Sequence, residues 1–383
     1  MFSMTDLDQI LPLWRDLRES GTEYVLATVV MVEGSGYRKP GARMLIGADG
    51  RRAGTISGGC LEGEVARKAF WRTEDGPVVR PYSTIAEDGE VPFGMGCGGV
   101  VHLMLERSAT ANSVMTRLAW CFENRTPLAI VTVLDGEWTG RRSFWPDKAD
   151  LHSDSNGNFE ADIDEVLEGL ARKGFEEQQS FTVAIGLGDG SLANARVEFN
   201  AARPGLFVFG AGDDAIPMVR QARQLGWYVA VADGRSNLAT PARFPEAHDV
   251  HVLTAGEFPA LALKPSDNVV ILTHSLEQDT RILSAMLKEE LAYIGVLGPR
   301  RRTDEILVTL AHELGVPASR VDAQVGRWME RLHAPMGLDL GGDTPADIAL
   351  AVIAEIQQTC NRASGLSLRK VRGSLSELRR ASA

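Results

Sequence analysis

Cysteine is scarce. Four occur in 383 residues, at 60, 97, 121 and 360, with no CxxC and no paired Cys/His spacing, which excludes a disulfide framework and a structural zinc site. Any cysteine chemistry is therefore local and single-thiol. Basic charge is in deficit, with 40 Lys and Arg against 51 Asp and Glu for a net charge of -11, so the surface repels phosphate backbones and anionic lipid. Nucleic acid and membrane surfaces are excluded as partners on that ground. Long apolar runs are missing too: none reaches 18 residues, and the opening MFSMTDLDQILPLW lacks a basic segment, an apolar run and a small-residue cleavage site in succession. The expectation is a cytoplasmic protein. A hydrophobic fraction of 44% over this length supplies core enough for two or three domains.

The first half alternates elements without a simple order. Leu7, Ile10, Leu11, Trp14 and Leu17 recur at helical spacing. YVLATVVMVEG (24–34) is rich in β-branched residues, and RMLIGADG (43–50) with the returning RRAGTISGG suggests a hairpin. EGEVARKAFWR reads as a helix; strand-like runs follow at 77–83, 100–106 and 128–136, with a helix over 111–124. Residues 139–160 turn polar and read as a surface excursion. Beyond AARPG (201–205) the character changes, as short β-branched strands alternate with helices of about a dozen residues, the signature of a parallel sheet covered on both faces. The expected fold class is α/β: a mixed α+β domain over 1–200, a doubly wound parallel-sheet domain over 205–360 and a basic tail over 361–383.

At the start of the second domain, the strand LFVF runs into Gly210-Ala211-Gly212-Asp213-Asp214-Ala215. This fits G-x-G-x-x-G/A: Gly210 for the turn, Gly212 for the approach of a diphosphate, Ala215 for helix-to-sheet packing. The next strand, WYVAVAD, ends in Asp233, where an acid that binds ribose hydroxyls sits in Rossmann folds. Two alternatives stand. Either the turn holds NAD(P) or another nucleotide, or the fingerprint is a packing device, since Asp213 and Asp214 bring negative charge where a diphosphate would bind. Asp233 is equally suited to cap a loop, and Arg235 to pair with it or with a phosphate.

Two cysteines sit in glycine. Cys60 follows Gly58 and Gly59 just ahead of a predicted helix, where a thiol's pKa falls. Cys97 lies within FGMGCGG, enclosed by Gly94, Gly96, Gly98 and Gly99. Such loops leave main-chain N–H groups bare for an anionic ligand. Each cysteine is also suited to simple packing; together they point to a soft metal, a transferable sulfur or a redox pair. Cys121 and Cys360 read as inert. Arg38 and Arg43, flanking a Pro-Gly turn, are either phosphate clamps or solvated loop arginines.

GSGYRKPGARMLIGADGRRAGTISGGCLEGEV, MGCGG, VFGAG, VADGR, GVLGPRRRTDEI and RLHAPMGLDLGGDTPADIALAVIAEI together resemble the XdhC/CoxI family of xanthine dehydrogenase accessory factors. The resemblance runs over roughly 30–105 and 205–358. It implies a maturation factor that binds molybdenum cofactor (molybdopterin), supports its sulfuration by a cysteine desulfurase and delivers it to an apo molybdenum hydroxylase. The family's elements fall on Gly58, Gly59, Cys60 and Glu62, on Cys97, Gly98 and Gly99, on Gly210, Gly212, Asp233 and Arg235, and on the Arg300-Arg301-Arg302 cluster. His333, Pro335, Gly337, Leu338 and Asp339 lie in the late motif. Cys60 and Cys97 become the expected metal-proximal thiols. Many relatives carry histidine where this chain has Asp213.

Arg300 to Arg302 end a strand at the expected carboxyl edge of the sheet, as phosphate ligands or as outward helix-start arginines; His274 and His333 are placed near the same edge. The rival function is an NAD(P)-dependent oxidoreductase, although no Ser/Tyr/Lys or His/Asp arrangement of recognisable spacing accompanies the glycine turn. A homodimer stays open.

Overall fold

The computed structural model describes residues 6–34, 36–83, 99–147, 161–187, 190–253 and 261–371. The chain divides after Arg203 into two units. The first begins with α1 (Leu7–Glu19), then β1 (Tyr24–Glu33), β2 (Arg43–Gly47), β3 (Arg52–Gly54), α2 (Glu62–Arg72), β4 (Val78–Ser83), β5 (Val100–Arg107) and α3 (Ser108–Glu123). It continues with β6 (Leu128–Val133), β7 (Arg142–Trp145), α4 (Ala161–Glu176), β8 (Phe181–Gly186) and β9 (Leu192–Asn200). Two antiparallel sheets result, ordered β3-β2-β1-β5-β4 and β7-β6-β9-β8.

β1 is buried over its first seven residues because its sheet is covered on both faces. Side chains alternate across a strand: Tyr24 and Leu26 pack with Leu7, Ile10, Trp14 and Leu17 of α1 and with α3, whereas Val25, Ala27 and Val29 pack with Leu61, Val65 and Ala69 beside α2. The helical spacing of α1 thus delivers one apolar stripe to the sheet. The stretch expected as a surface excursion holds β7, antiparallel to β6. Its four residues, Arg142 to Trp145, are half-buried, as befits an edge strand, and the run is too short to stand out beside the polar stretch that follows it.

The second unit contains β10 (Gly205–Phe209), α5 (Ala215–Gln224), β11 (Tyr228–Asp233), β12 (Asp249–Val252), β13 (Asp267–Ile271), α6 (Leu276–Met286), β14 (Tyr293–Val296), α7 (Arg300–Glu313), α8 (Val321–Met329), α9 (Pro345–Cys360) and α10 (Leu368–Val371). The strands form one parallel sheet in the order β12-β11-β10-β13-β14. Leu206 and Val208 face a layer made with α5 and α9; Phe207 and Phe209 face a layer made with α6 and α7. This is the doubly wound, Rossmann-like arrangement expected. The chain leaves β10 first to one side and then to the other, so the switch point of the fold lies between β10 and β13. Among the described residues no helix is long and apolar enough to cross a membrane.

Candidate functional site

In the first unit, the turn between β3 and α2 carries Cys60. Gly58 and Gly59 adopt φ of +89° and +118°, a region costly for residues with a Cβ. The Glu62 carboxylate then folds back into the turn it follows. It accepts from the backbone N–H of Ile56 (3.0 Å), Ser57 (2.9 Å), Gly58 (3.2 Å) and Gly59 (2.9 Å), and from the hydroxyls of Thr55 (2.5 Å) and Ser57 (2.6 Å). Ser57 Oγ in turn accepts from the Leu61 N–H at 2.9 Å. Burial works to raise the Glu62 pKa, but the Ser57 and Thr55 hydroxyls and the main-chain donors outweigh it and hold the carboxyl down at about 2. The main-chain donors expected to be bare are therefore filled by the chain's own anion. Glu62 is a positioning residue, and what the turn offers outward is the exposed Cys60.

Tyr37, which belongs to the first of the quoted motifs but is given no role there, lies on this turn. A methyl group at Gly58 would stand 2.7 Å from two of its ring carbons, so the glycine is also what lets the ring settle there. The ring is nonetheless 73% exposed. Arg38 pairs with Asp6; burial lowers its pKa, and the charge of Glu62 opposes that. Arg43 overturns both of its expected roles. It is neither a phosphate clamp nor a solvated loop residue, because it is buried and both carboxylate oxygens of Glu198 lie 2.8 Å from its Nη2, with Nη1 donating to the Gly41 carbonyl at 2.8 Å. Gly96, Cys97 and Gly98 lie outside the described residues. Cys121 is buried, and Cys360 donates to Asn268 Oδ1 at 3.3 Å with its thiol pKa pushed up by burial.

In the second unit, a Cβ on Gly210 would stand 2.5 Å from the Leu272 carbonyl oxygen, so only glycine permits β10 to end this close to the chain leaving β13. Asp233 takes its capping alternative. Its side chain accepts from the Ala211 N–H at 2.7 Å and from Arg235 through the backbone N–H (2.8 Å), Nε (2.9 Å) and Nη2 (2.7 Å). Desolvation opposes its ionisation, but Arg235 and the Ala211 N–H prevail and its pKa is lowered. Arg243, also missed in the sequence, holds Asp213 at 2.8 Å. Asp214 lies 3.1 Å from His274 Nε2, and His274 itself stands in the left-handed region at φ +59°.

Residues 206–356 match the family model described as the XdhC Rossmann domain, and residues 17–83 match that of the XdhC and CoxI family. A protein of Bacillus subtilis (strain 168) described as a probable xanthine dehydrogenase subunit is 31% identical over 361 residues, which cover 90% of this chain and 96% of the relative. The chain belongs to the XdhC and CoxI family. A crystal structure described as a xanthine dehydrogenase from Bacillus halodurans superposes with a TM-score of 0.71 at 26% identity, over 96% of this chain and 98% of that one. The molybdenum cofactor insertion chaperone PaoD of Escherichia coli (strain K12) is 32% identical over 123 residues, 29% of this chain and 34% of its own length.

The remaining motif positions of this XdhC-family chain serve its second unit in different ways. Arg302 is drawn inward to Asp279, 2.6 Å away, which also accepts from the Thr273 hydroxyl at 2.5 Å. Arg300 and Arg301 take the outward alternative, pairing along α7 with Asp304 at 3.7 Å and Glu305 at 3.0 Å. His333 lies beside the carboxyl-terminal half of β14, opposite Gly295. Its backbone extends the sheet beside β14, with the His333 N–H donating to the Ile294 carbonyl (2.9 Å) and the Val296 N–H to the His333 carbonyl (3.0 Å). Its ring stacks on Tyr293, the first residue of β14, at 4.2 Å between centroids. Glu355, unrecognised in the sequence, ties this motif together: it accepts from Tyr293 Oη (2.6 Å) and the Gly337 N–H (2.7 Å), and its other oxygen lies 3.2 Å from His333 Nδ1.

Proposed function

We propose that this chain is a maturation factor for a xanthine dehydrogenase-type molybdenum hydroxylase: it holds molybdenum cofactor, keeps it accessible for sulfuration by a cysteine desulfurase and passes it to the apo-enzyme. The observation that carries the reading is the exposed Cys60 on a turn immobilised by six hydrogen bonds to Glu62. The naming of PaoD as a molybdenum cofactor insertion chaperone supports it. When bound, the cofactor supplies a soft molybdenum centre on a pterin dithiolene, suited to a thiolate ligand. Cys60 is the metal-proximal thiol and the exposed Tyr37 ring the surface on which a planar heterocycle stacks. The donors of residues 56–59 are committed to Glu62, so the pterin phosphate draws its partners from other groups. Cys97, in its glycine-rich segment, is the second candidate thiol.

The test is the cofactor load of protein purified anaerobically from a molybdenum-replete host. Cys60→Ala is expected to retain less than about a tenth of the wild-type molybdenum per chain; equal loads would remove Cys60 from the role. Tyr37→Ala is expected to lower pterin affinity by about 1 to 3 kcal/mol, the worth of one aromatic stack, and Tyr37→Phe to preserve it. Equal pterin binding by all three forms, measured by fluorescence titration, rules out the stacking role.

A further inference from the structure

Dinucleotides bind doubly wound folds in the crevice at the switch point, and the second glycine of the fingerprint leaves that space clear for the diphosphate. In this chain the space is taken. A Cβ on Gly212 would meet Asp214 Oδ1 at 2.5 Å, so the carboxylate lies where the glycine's missing side chain would make room for phosphate. The other oxygen of Asp214 reaches across the switch point to His274 Nε2, on the turn that leaves β13. Part of the turn's donor set is turned inward as well, beginning with the Gly210 N–H, which donates to the Ala232 carbonyl at 2.9 Å. The Ala211 N–H is held by Asp233, and those of Ala215 and Ile216 point back to the carbonyls of Gly212 (3.3 Å) and Asp213 (3.4 Å). The nearby guanidiniums face the chain's own carboxylates, Arg235 on Asp233 and Arg243 on Asp213. Asp233, the acid that would bind a ribose, has no exposed side-chain surface.

We infer that the second unit keeps the dinucleotide fingerprint but has closed its phosphate seat with its own anion, Asp214, latched to His274. The chain therefore does not take NAD, NADP or another nucleoside diphosphate at this turn, and the charge and volume of one side chain are what exclude them. Asp214 Oδ1 is buried without a hydrogen-bond partner, so its removal breaks no donor–acceptor pair beyond the single contact to His274. This inference stands apart from the cofactor reading, which concerns the first unit.

Calorimetric titration of the full chain with NAD, NADP and ADP decides it, with thermal melts confirming that each variant folds. The wild type is expected to show no saturable binding up to about 1 mM. Asp214→Gly is expected to bind at least about tenfold more tightly than wild type, and Asp214→Asn to fall between them, because it removes charge and keeps volume. Asp213→Asn, whose carboxylate is exposed and held away by Arg243, is expected to change affinity less than about threefold. Micromolar binding by the wild type overturns the inference. So does an Asp214→Gly variant that binds no more tightly than wild type, or an Asp213→Asn gain as large as that of Asp214→Asn.

Discussion

Glu62→Gln is expected to destabilise the first unit by about 3 kcal/mol at pH 7, with the difference shrinking steadily below pH 5. The carboxyl is buried and its pKa is held at about 2, against 4.5 for an unperturbed glutamate. A folded-state value below the unfolded one means that the native state binds its proton less readily. Its contribution is therefore complete above about pH 4.5 and is lost as the pH falls toward 2. An amide at this position places an NH2 against donors that need an acceptor: with the NH2 in place of Oε2 the Gly59 N–H faces another donor, and the Ser57 hydroxyl loses the acceptor it donates to. Urea denaturation of both proteins between pH 7 and pH 3 checks the sign. A destabilisation that stays constant over that range would show that the ionised carboxylate is not what holds the turn. Hydrogen exchange adds a local readout, with the amides of residues 56–59 expected to lose protection in the variant before the core amides of β1 do.

The two α/β layers were legible because they rest on short-range pattern. The alternation of Tyr24 and Leu26 against Val25 and Ala27, and the stripe Leu7-Ile10-Leu11-Trp14-Leu17, can be read from neighbours in the chain. The parallel sheet of the second unit announced itself by strand length and β-branching, and Gly210 by the turn it must make. What the sequence did not disclose is which charges were already committed. Arg43 looked like a loop arginine until its partner, 155 residues away, closed on it. Asp233 looked like a ribose ligand, yet its oxygens are consumed by Ala211 and Arg235. Glu62 was grouped with Cys60 as a ligand-site residue, but a nest filled from within is indistinguishable in sequence from one left open for a ligand. The strand-like addition of His333 to β14 was equally hidden, because a few residues around a proline carry no period.

The second large effect is expected at Glu198. Arg43 belongs to β2 of the five-stranded sheet and Glu198 to β9 of the four-stranded one, and both side chains are nearly sealed from solvent, at 7% and 9% exposure. A parallel tie joins Glu106 of β5 to Arg142 of β7 at 2.6 Å. Charges this deep cost several kcal/mol to desolvate, so such a pair adds little net stability, but the loss of one partner strands the other. Glu198→Ala is therefore expected to cost about 3 to 5 kcal/mol, because the Arg43 guanidinium is left buried, its Nε already without a partner and only the Gly41 carbonyl to satisfy Nη1. Replacing both residues, as in Arg43→Met with Glu198→Leu, is expected to return most of that loss. The double-mutant cycle is read by urea denaturation at pH 7. A Glu198→Ala cost below about 1 kcal/mol, or a double variant no more stable than the single, would mean that solvent reaches the guanidinium and that the two sheets are joined by apolar packing alone. In the outcome expected here, the strand that leads through β3 into the Cys60 turn is anchored from the far sheet by one arginine, and Glu198→Ala should also loosen hydrogen-exchange protection at β2 and at the turn beyond it.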